Sequence, residues 1–498
     1  MIEGEDTILP ILTFDASTDW LSLYRIAEPD LEEKGLERLV AALSSSAQCV
    51  AVEREYIDKD YRDTFSHYHS KRFSTPSSRC LRLHFFDRQV TRKTLKEACV
   101  DDEKRKNLNK SYLGYSVIRP TKPNCIGRTF LKPSSRGPAS AFACLCPEEV
   151  SILGTELKLE GFPFISQDTD VTVCAESAVW MMLRYFSNRY HLYPEIYPFQ
   201  VVNLTSNYSI GRNVPSSGLN EWQMAEALRK IGRPPIIYTR KSCLSINQDF
   251  DHLLYTYIES GIPVLAGLVD HVVVAFGHRS NFSASPPGSG TIFTSAYNQA
   301  LVVNDDNSVP YQLLHKTGQM SGAGAQASKF KFDDIVDFIV PLHEKVFLPA
   351  ESFQTVVTEL LEKNPIFGFK VLSPSLRNSR LVLRLFLTTG KSFKKRLGDR
   401  KMGNSVVEDT YRNIPLPHFV WVCEISNVDA FARHEIFGEI LWDATRNLRE
   451  PNGWIALHYP EILVVDIGSA LNGRQKLCRV DLQNSTAYKI YKNNLQDI

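Results

Sequence analysis

The sequence predicts an α+β protein, and three observations lead there. Helical and strand-like spacings of apolar residues alternate along the whole chain, with no long block of either kind. Clusters of Gly, Pro, Ser, Asn and Asp punctuate these runs. At 498 residues the chain is too long for one core, so about two to four domains are expected. We divide it into an N-terminal α+β domain at 1–150, a central domain at 155–342 and a C-terminal α+β domain at 343–498.

In the first part the charged, apolar-striped stretch 31–46 reads as a helix, and 49–57, 80–86 and 112–120 read as strands. The mixed-charge stretch 91–108 reads as one helix between the last two strands. The Pro, Ser and Gly of 132–141 mark a loop. His67, Tyr68 and His69 read as the surface of a loop, since no third metal ligand is in view.

The central part carries an apolar helix from about Cys174, whose stripe is Ala175, Ala178, Val179, Met182, Leu183 and Phe186. A second helix, 220–232, places Trp222, Ala225, Leu228 and Ile231 on one face, with Ser216, Ser217 and Gly218 before it as turn and cap material. A third, 249–261, ends at Gly261. Two strands, 262–268 and 271–277, then meet through a tight turn at Val269-Asp270. The small-residue stretches 280–290 and 317–330 read as loops around the strand 300–304. In the third part, 348–364 reads as a helix, and 379–390, 418–426 and 454–468 as strands.

Composition excludes several classes. Net charge is +1, with 43% apolar and 23% charged residues, so no field steers the chain onto nucleic acid or an anionic membrane. The basic cluster 391–403 reads as a solvated loop. The N-terminal stretch lacks the basic and apolar regions of a secretory signal. The most apolar run, 261–277, is short and holds Asp270 and His271, which argues against a membrane span. Ten scattered cysteines without a secretory signal point to free thiols in a reducing, cytoplasmic setting. Cys144 and Cys146 lack a second ligand pair, so neither a metal nor another cofactor is expected.

The chemistry-bearing residues fall in the central part. Cys174 lies in the first turn of its helix, where unpaired N–H groups and the helix dipole favour a thiolate. Gln167, in the polar approach to that helix, can join the Cys backbone N–H as an oxyanion donor, a role worth about 3–4 kcal/mol. His271 opens an apolar strand and is the candidate base. His278, at the strand's far end, reads as solvent-facing, and His252, in a helix, as a weaker candidate still. Asp305 and Asp306 end a strand. Adjacent strand residues point to opposite faces, so only one can orient the imidazole, and Asp305 is preferred. Asp-Asp-Asn-Ser is also good turn sequence.

The ordered set of Gln167, Cys174 with its apolar helix, the Trp222 helix, Ile258-Glu259-Ser260-Gly261-Ile262-Pro263-Val264, His271-Val272-Val273-Val274 and Val303-Asn304-Asp305 resembles the bacterial papain-like bacteriocin-processing (double-glycine leader) cysteine peptidases and their soluble relatives. The resemblance covers about 160–315. It implies a papain-like central domain, with the Cys helix packed on an antiparallel sheet, flanked by two α+β domains. It also implies Cys174 as nucleophile, His271 as base, Asp305 as orienting acid and Gln167 as oxyanion donor. Two positions depart from the family pattern. Ala175 and Glu176 stand where Gly usually follows the Cys, and Asp306 stands where Pro usually follows the acid.

Three readings follow. The first is a thiol hydrolase acting on a peptide or protein. The second is a transamidase using the same three residues. The third is a degenerate peptidase-like scaffold, motivated by the extra negative charge of Glu176 and Asp306.

Overall fold

The computed structural model describes residues 11–13, 37, 39, 43 and 46–498, apart from 122–123, 134–140, 169, 172, 206–213, 217, 285–289, 317–327, 363–378, 448–452, 470–474, 483–485 and 494. The expected helix at 31–46 therefore lies largely outside the described residues, as do the loops 132–141, 280–290 and 317–330 in part, and Ser217.

The N-terminal sheet joins β1 (Ile11–Thr13), β2 (Cys49–Tyr56), β3 (Cys80–Phe86), β4 (Tyr112–Ile118) and β5 (Ile126–Leu131) in sequence order. Two helices, not one, fill the connection after β3, at Arg92–Val100 and Asp102–Ser111. Asp101 ends the first and caps the second, accepting from the N–H groups of Glu103 and Lys104. An Asp that satisfies two orphan N–H groups starts a new helix more readily than it continues an old one.

A short strand, β6 (Ala141–Ala143), precedes the hairpin of β7 (Cys146–Ile152) and β8 (Thr155–Gly161). That hairpin straddles the boundary drawn between 150 and 155. The Cys helix follows at Cys174–Arg189. The next long helix spans Glu221–Lys230, then come β9 (Pro235–Thr239) and the helix Phe250–Glu259. Gly261 follows with φ +76°, a left-handed position suited to glycine, as expected of a residue just past a helix end.

The central sheet is built from β9, β10 (Val264–Leu268), β11 (His271–Ser280), β13 (Asn298–Asn304), β14 (Gln312–His315) and β15 (Asp337–Pro341), in the order β14-β13-β11-β10-β15-β9. β10 and β11 form the expected hairpin, with Leu268 opposite His271 and Asp270 at φ 57° in the turn. The continuous apolar run of β11 is explained by cover on both faces. Val272, Val274 and Phe276 pack in one core with the Cys helix, and Val273 and Ala275 pack in another with Leu253, Leu254 and Tyr257 of the third helix.

The C-terminal sheet orders β12 (Ile292–Phe293), β16 (Leu381–Thr389), β17 (Phe419–Asn427), β19 (Gly438–Asp443), β20 (Trp454–Tyr459), β21 (Ile462–Ser469) and β22 (Gln475–Asp481). β18 (Glu435–Ile436) pairs with β23 (Tyr488–Lys489), and β24 (Gln496–Asp497) pairs with β6, which also pairs with β11. The protein is thus a mixed α/β assembly of several antiparallel sheets. Among the described pairings between strands, only β12 with β16 is parallel. The cores run across the sequence boundaries, since one of them joins Tyr257 and Phe338 to Phe353 and Trp421.

Several expectations need correction. Trp222 is 65% exposed, not packed. The buried arc of its helix centres on Met224, Ala227 and Leu228, and Trp222 stands two positions from Met224, about 200° round the helix. The helix cap is Asn220, in a capping box with Gln223, and not the preceding serines. The stretch 391–403 is not a plain solvated loop, because Arg400 is buried and pairs with Glu424 and Glu439. His69 is buried while His67 is exposed, so the pair is not a common surface. All ten cysteines are free thiols. Among the described residues no helix is long and apolar enough to cross a membrane.

Candidate functional site

The approach to the Cys helix is pinned from three sides. Asn304 donates its side-chain N–H to the Pro163 carbonyl at 3.0 Å. Arg119, itself buried, donates to the Ser166 carbonyl at 2.8 Å. Asp168 accepts from the backbone N–H groups of Asp170 and Val171, closing a local turn just before the helix. Val173 is the N-cap residue and provides no side-chain cap. The N-terminal N–H groups beside Cys174 therefore receive no oxygen from the N-cap side chain.

Glu176, three positions past the cap, turns inward. Its carboxyl is buried, accepts from the Ser216 hydroxyl and faces the N–H groups of Val173 and of its own residue. Burial pushes its pKa up, and those hydrogen bonds act against that shift. Its place resembles the return half of a capping box, which gives this departure from the family pattern a local role.

His271 opens β11 directly after the turn. Its Nε2 lies 2.8 Å from Asp305 Oδ1, and the Cys174 thiol beside the ring favours its charged form. With Nε2 on Asp305, Nδ1 is the nitrogen left for the thiol. Burial opposes charge on the ring. The hydrogen bond to Asp305 and the Cys174 thiol, with the charges of Asp305 and Asp306, outweigh it and raise the pKa to about 10. The Phe330 ring stacks on the imidazole at 5.3 Å between centroids.

Asp305 alone of the pair hydrogen-bonds His271, with Asp306 close by. Asp306 Oδ1 is 3.8 Å from Nε2. β13 ends at Asn304, so the pair lies in the following turn, where strand alternation no longer sorts side chains. The turn is visible in Ser308 N bonding to the Asp305 carbonyl at 2.9 Å. For Asp305, burial is outweighed by the His271 and Asn307 hydrogen bonds and the His271 charge, and its pKa is lowered. For Asp306, burial and then repulsion from Asp305 push the pKa up to about 7. Neither Asp306 oxygen makes a full hydrogen bond among the described residues, although the N–H groups of Asp306 and Gln167 face it.

Gln167 joins the same network. Its Nε2 donates to Asn307 Oδ1 at 2.6 Å, and Asn307 N donates to Asp305 Oδ1 at 3.0 Å. The second amide N–H of Gln167 remains for another acceptor. His278 is not solvent-facing. It is buried, 2.6 Å from Glu259 Oε2 and 2.9 Å from the Ser280 hydroxyl. The apolar cover on both faces of β11 carries that end of the strand into the interior. His252 is likewise buried, against Ser295.

A groove of 610 Å³ runs over Cys174 and His271. Glu221, Asp270 and Asp337 line it, and among the described residues no Lys or Arg does. Gly267 allows Asp337 to lie across its strand, since a Cβ there would meet Asp337 Oδ1 at 2.4 Å. Among the described residues, one group of His, Cys, Asp and Glu could hold a metal ion, and it is His271, Asp305 and Asp306 themselves. Their direct hydrogen bond at 2.8 Å already satisfies the ring nitrogen a metal would need.

Sequence reasoning did not single out Asn307 or Phe330, and read Asp306 and Ser216 in other roles. Asn307 was within reach as the third residue of an Asp-Asp-Asn turn. Ser216 and Phe330 lie in loops whose spacing carries no periodic signal. No family model, no curated protein and no solved structure matches the chain.

Proposed function

We propose that the protein is a thiol hydrolase, acting as a cysteine peptidase on a peptide or protein. The observation that carries this reading is the convergence of three groups. Cys174 sits at a helix start whose N-cap side chain makes no cap bond, on one groove with His271, whose Nε2 is held by Asp305 at 2.8 Å. The Cys helix lying on an antiparallel sheet supports a papain-like arrangement.

In this reading an imidazolium beside the sulfur favours the thiolate. The thiolate attacks the scissile carbonyl, and the oxyanion forms near the Cys174 backbone N–H and the Gln167 amide. His271 gives its proton to the leaving amine. It then takes a proton from water, whose oxygen displaces the thiolate and releases the acid. Asp305 holds the ring in place and stabilises its charged form throughout. The groove's three carboxylates favour a substrate with Lys or Arg near the scissile bond.

Glu176 and Asp306 do not argue for a scaffold here. Glu176 faces helix N–H groups, and Asp306 lies on the Asp305 side of the imidazole. A peptide electrophile bearing Lys or Arg should label Cys174 under reducing conditions, and faster than its Glu-bearing counterpart. The Cys174→Ala variant should not be labelled there. An unlabelled wild type sinks the reading, and product formation only with an added amine turns it to acyl transfer.

A further inference from the structure

The end of β11 away from His271 borders a second cavity, of 330 Å³, which shares no wall residue with the groove over Cys174. It lies where the central and C-terminal sheets meet. Phe142 of β6, His278 of β11 and Glu259 at a helix end reach it from one side, and Arg384 of β16 from the other. Phe282 forms the middle of an aromatic wall, 6.3 Å from Phe142 and edge-on to Phe431 and His434 at 5.2 and 6.0 Å between centroids. Rings in this arrangement offer both faces and edges to a further planar group. The volume, at the low end of the roughly 300–1,000 Å³ of ligand pockets, suits a body of about one ring.

Arg384 is the informative residue. It is 5% exposed, and two of its three nitrogens are committed to the protein. Nε donates to Glu259 at 2.6 Å, and Nη1 donates to Glu424 at 2.7 Å and to the Tyr491 carbonyl at 2.8 Å. Nη2 donates to nothing among the described residues, and it is not sealed from solvent as a buried orphan would be. With the other two nitrogens turned to the protein, Nη2 is the N–H group that this side chain presents to the cavity it lines. The charge of Arg384 is already matched by Glu259 and Glu424, so an anion on Nη2 would stand beside two carboxylates and be repelled. A neutral carbonyl oxygen accepts from the same N–H without adding charge. Lys492 and Asp497, both exposed, bring one charge of each sign to the rim and no net field that favours an ion.

We propose that this cavity binds a small neutral molecule with a planar aromatic body and a carbonyl oxygen, as in an aryl ketone. The oxygen accepts from Arg384 Nη2, and the body lies against the wall of Phe142, Phe282, Phe431 and His434. The site is separate from the Cys174 groove, so it stands whether or not the chain is a peptidase.

Ligand-observed fluorine NMR on the full chain tests it. The probe is para-fluoroacetophenone, with para-fluorobenzoate as its anionic counterpart and para-fluorotoluene as the one without an acceptor. The ketone should bind saturably at one site with Kd below about 5 mM, and the other two at least about fivefold more weakly. Arg384→Lys keeps a cation but loses the planar N–H edge, and should weaken the ketone by about fivefold or more. Since that residue is held in a buried network, His434→Gly at the exposed rim provides the second variant. His434 sits at φ 58°, a left-handed position suited to glycine, so this variant should melt close to the wild type. The loss of its ring from the wall should weaken the ketone by about threefold or more. No saturable binding of the ketone overturns the proposal. So does a benzoate or toluene that binds as well as the ketone, or equal ketone binding by wild type and His434→Gly.

Discussion

Asp305 and Asp306 sit behind one imidazole and are pushed in opposite directions, the first down and the second up to about 7. The sign for stability follows from each. Asp306 in the fold lies above its ordinary value of 3.8, so its contribution is full below 3.8 and is lost as pH rises through about 7. His271 lies above 6.5, so its contribution is full below 6.5 and is lost as pH rises through about 10. Replacing Asp306 by Asn should remove the first loss. Between about pH 4 and 7 the variant should gain on the wild type by ~1–3 kcal/mol in denaturant titrations. The His271 pKa, read by NMR, should fall by on the order of one unit. Parallel stability curves with an unmoved imidazole would refute this account. Cys174, His271 and Asp305 were legible because each interrupts an apolar periodic run with a reactive group. Asp306 lies in the turn after β13, where strand alternation no longer separates it from Asp305.

At the scale of the element, the start of the Cys helix carries a trade-off. Val173 leaves that end without a side-chain cap, whereas the helices beginning at Glu221 and Phe250 are capped by Asn220 and Asp249. Val173→Ser should supply the missing oxygen and stabilise the fold by about 1 kcal/mol. The same oxygen competes for the N–H groups that favour an anion at Cys174, so labelling should slow. A variant that is both more stable and equally reactive would show that those groups take no part. The helices and the β10–β11 hairpin were readable from period and turn residues. The exposure of Trp222 was not, because a stripe of apolar residues does not say which turn of a helix outruns its neighbours.

Across the whole molecule, ion pairs stitch the sequence regions together. Arg384 of β16 bonds Glu259 at 2.6 Å and Glu424 at 2.7 Å, and Arg400 joins Glu424 to Glu439. Glu259 also holds His278 of β11. All of these groups are at least nine-tenths buried, so removing one partner strands the rest. Arg384→Met should destabilise by about 3–5 kcal/mol, in one transition shared by the central and C-terminal parts. Two separate melting steps would show instead that the parts fold independently. None of this network was visible beforehand, since its members lie up to 180 positions apart (439 − 259 = 180) and each looks like a surface charge in its own segment.

The strand pairing of β6 with both β11 and β24 has a kinetic side. Ala143 meets Gln496 and Gly277 as direct neighbours, so strands distant in sequence must find one another before this edge of the sheet is closed. Loop closure over such separations is slow, because its entropic cost comes before the contacts that compensate it. A refolding chain should therefore recover reactivity at Cys174 only with its slowest phase, well after helix formation is complete. On the proposed peptidase reading, that order keeps Cys174 idle through most of folding.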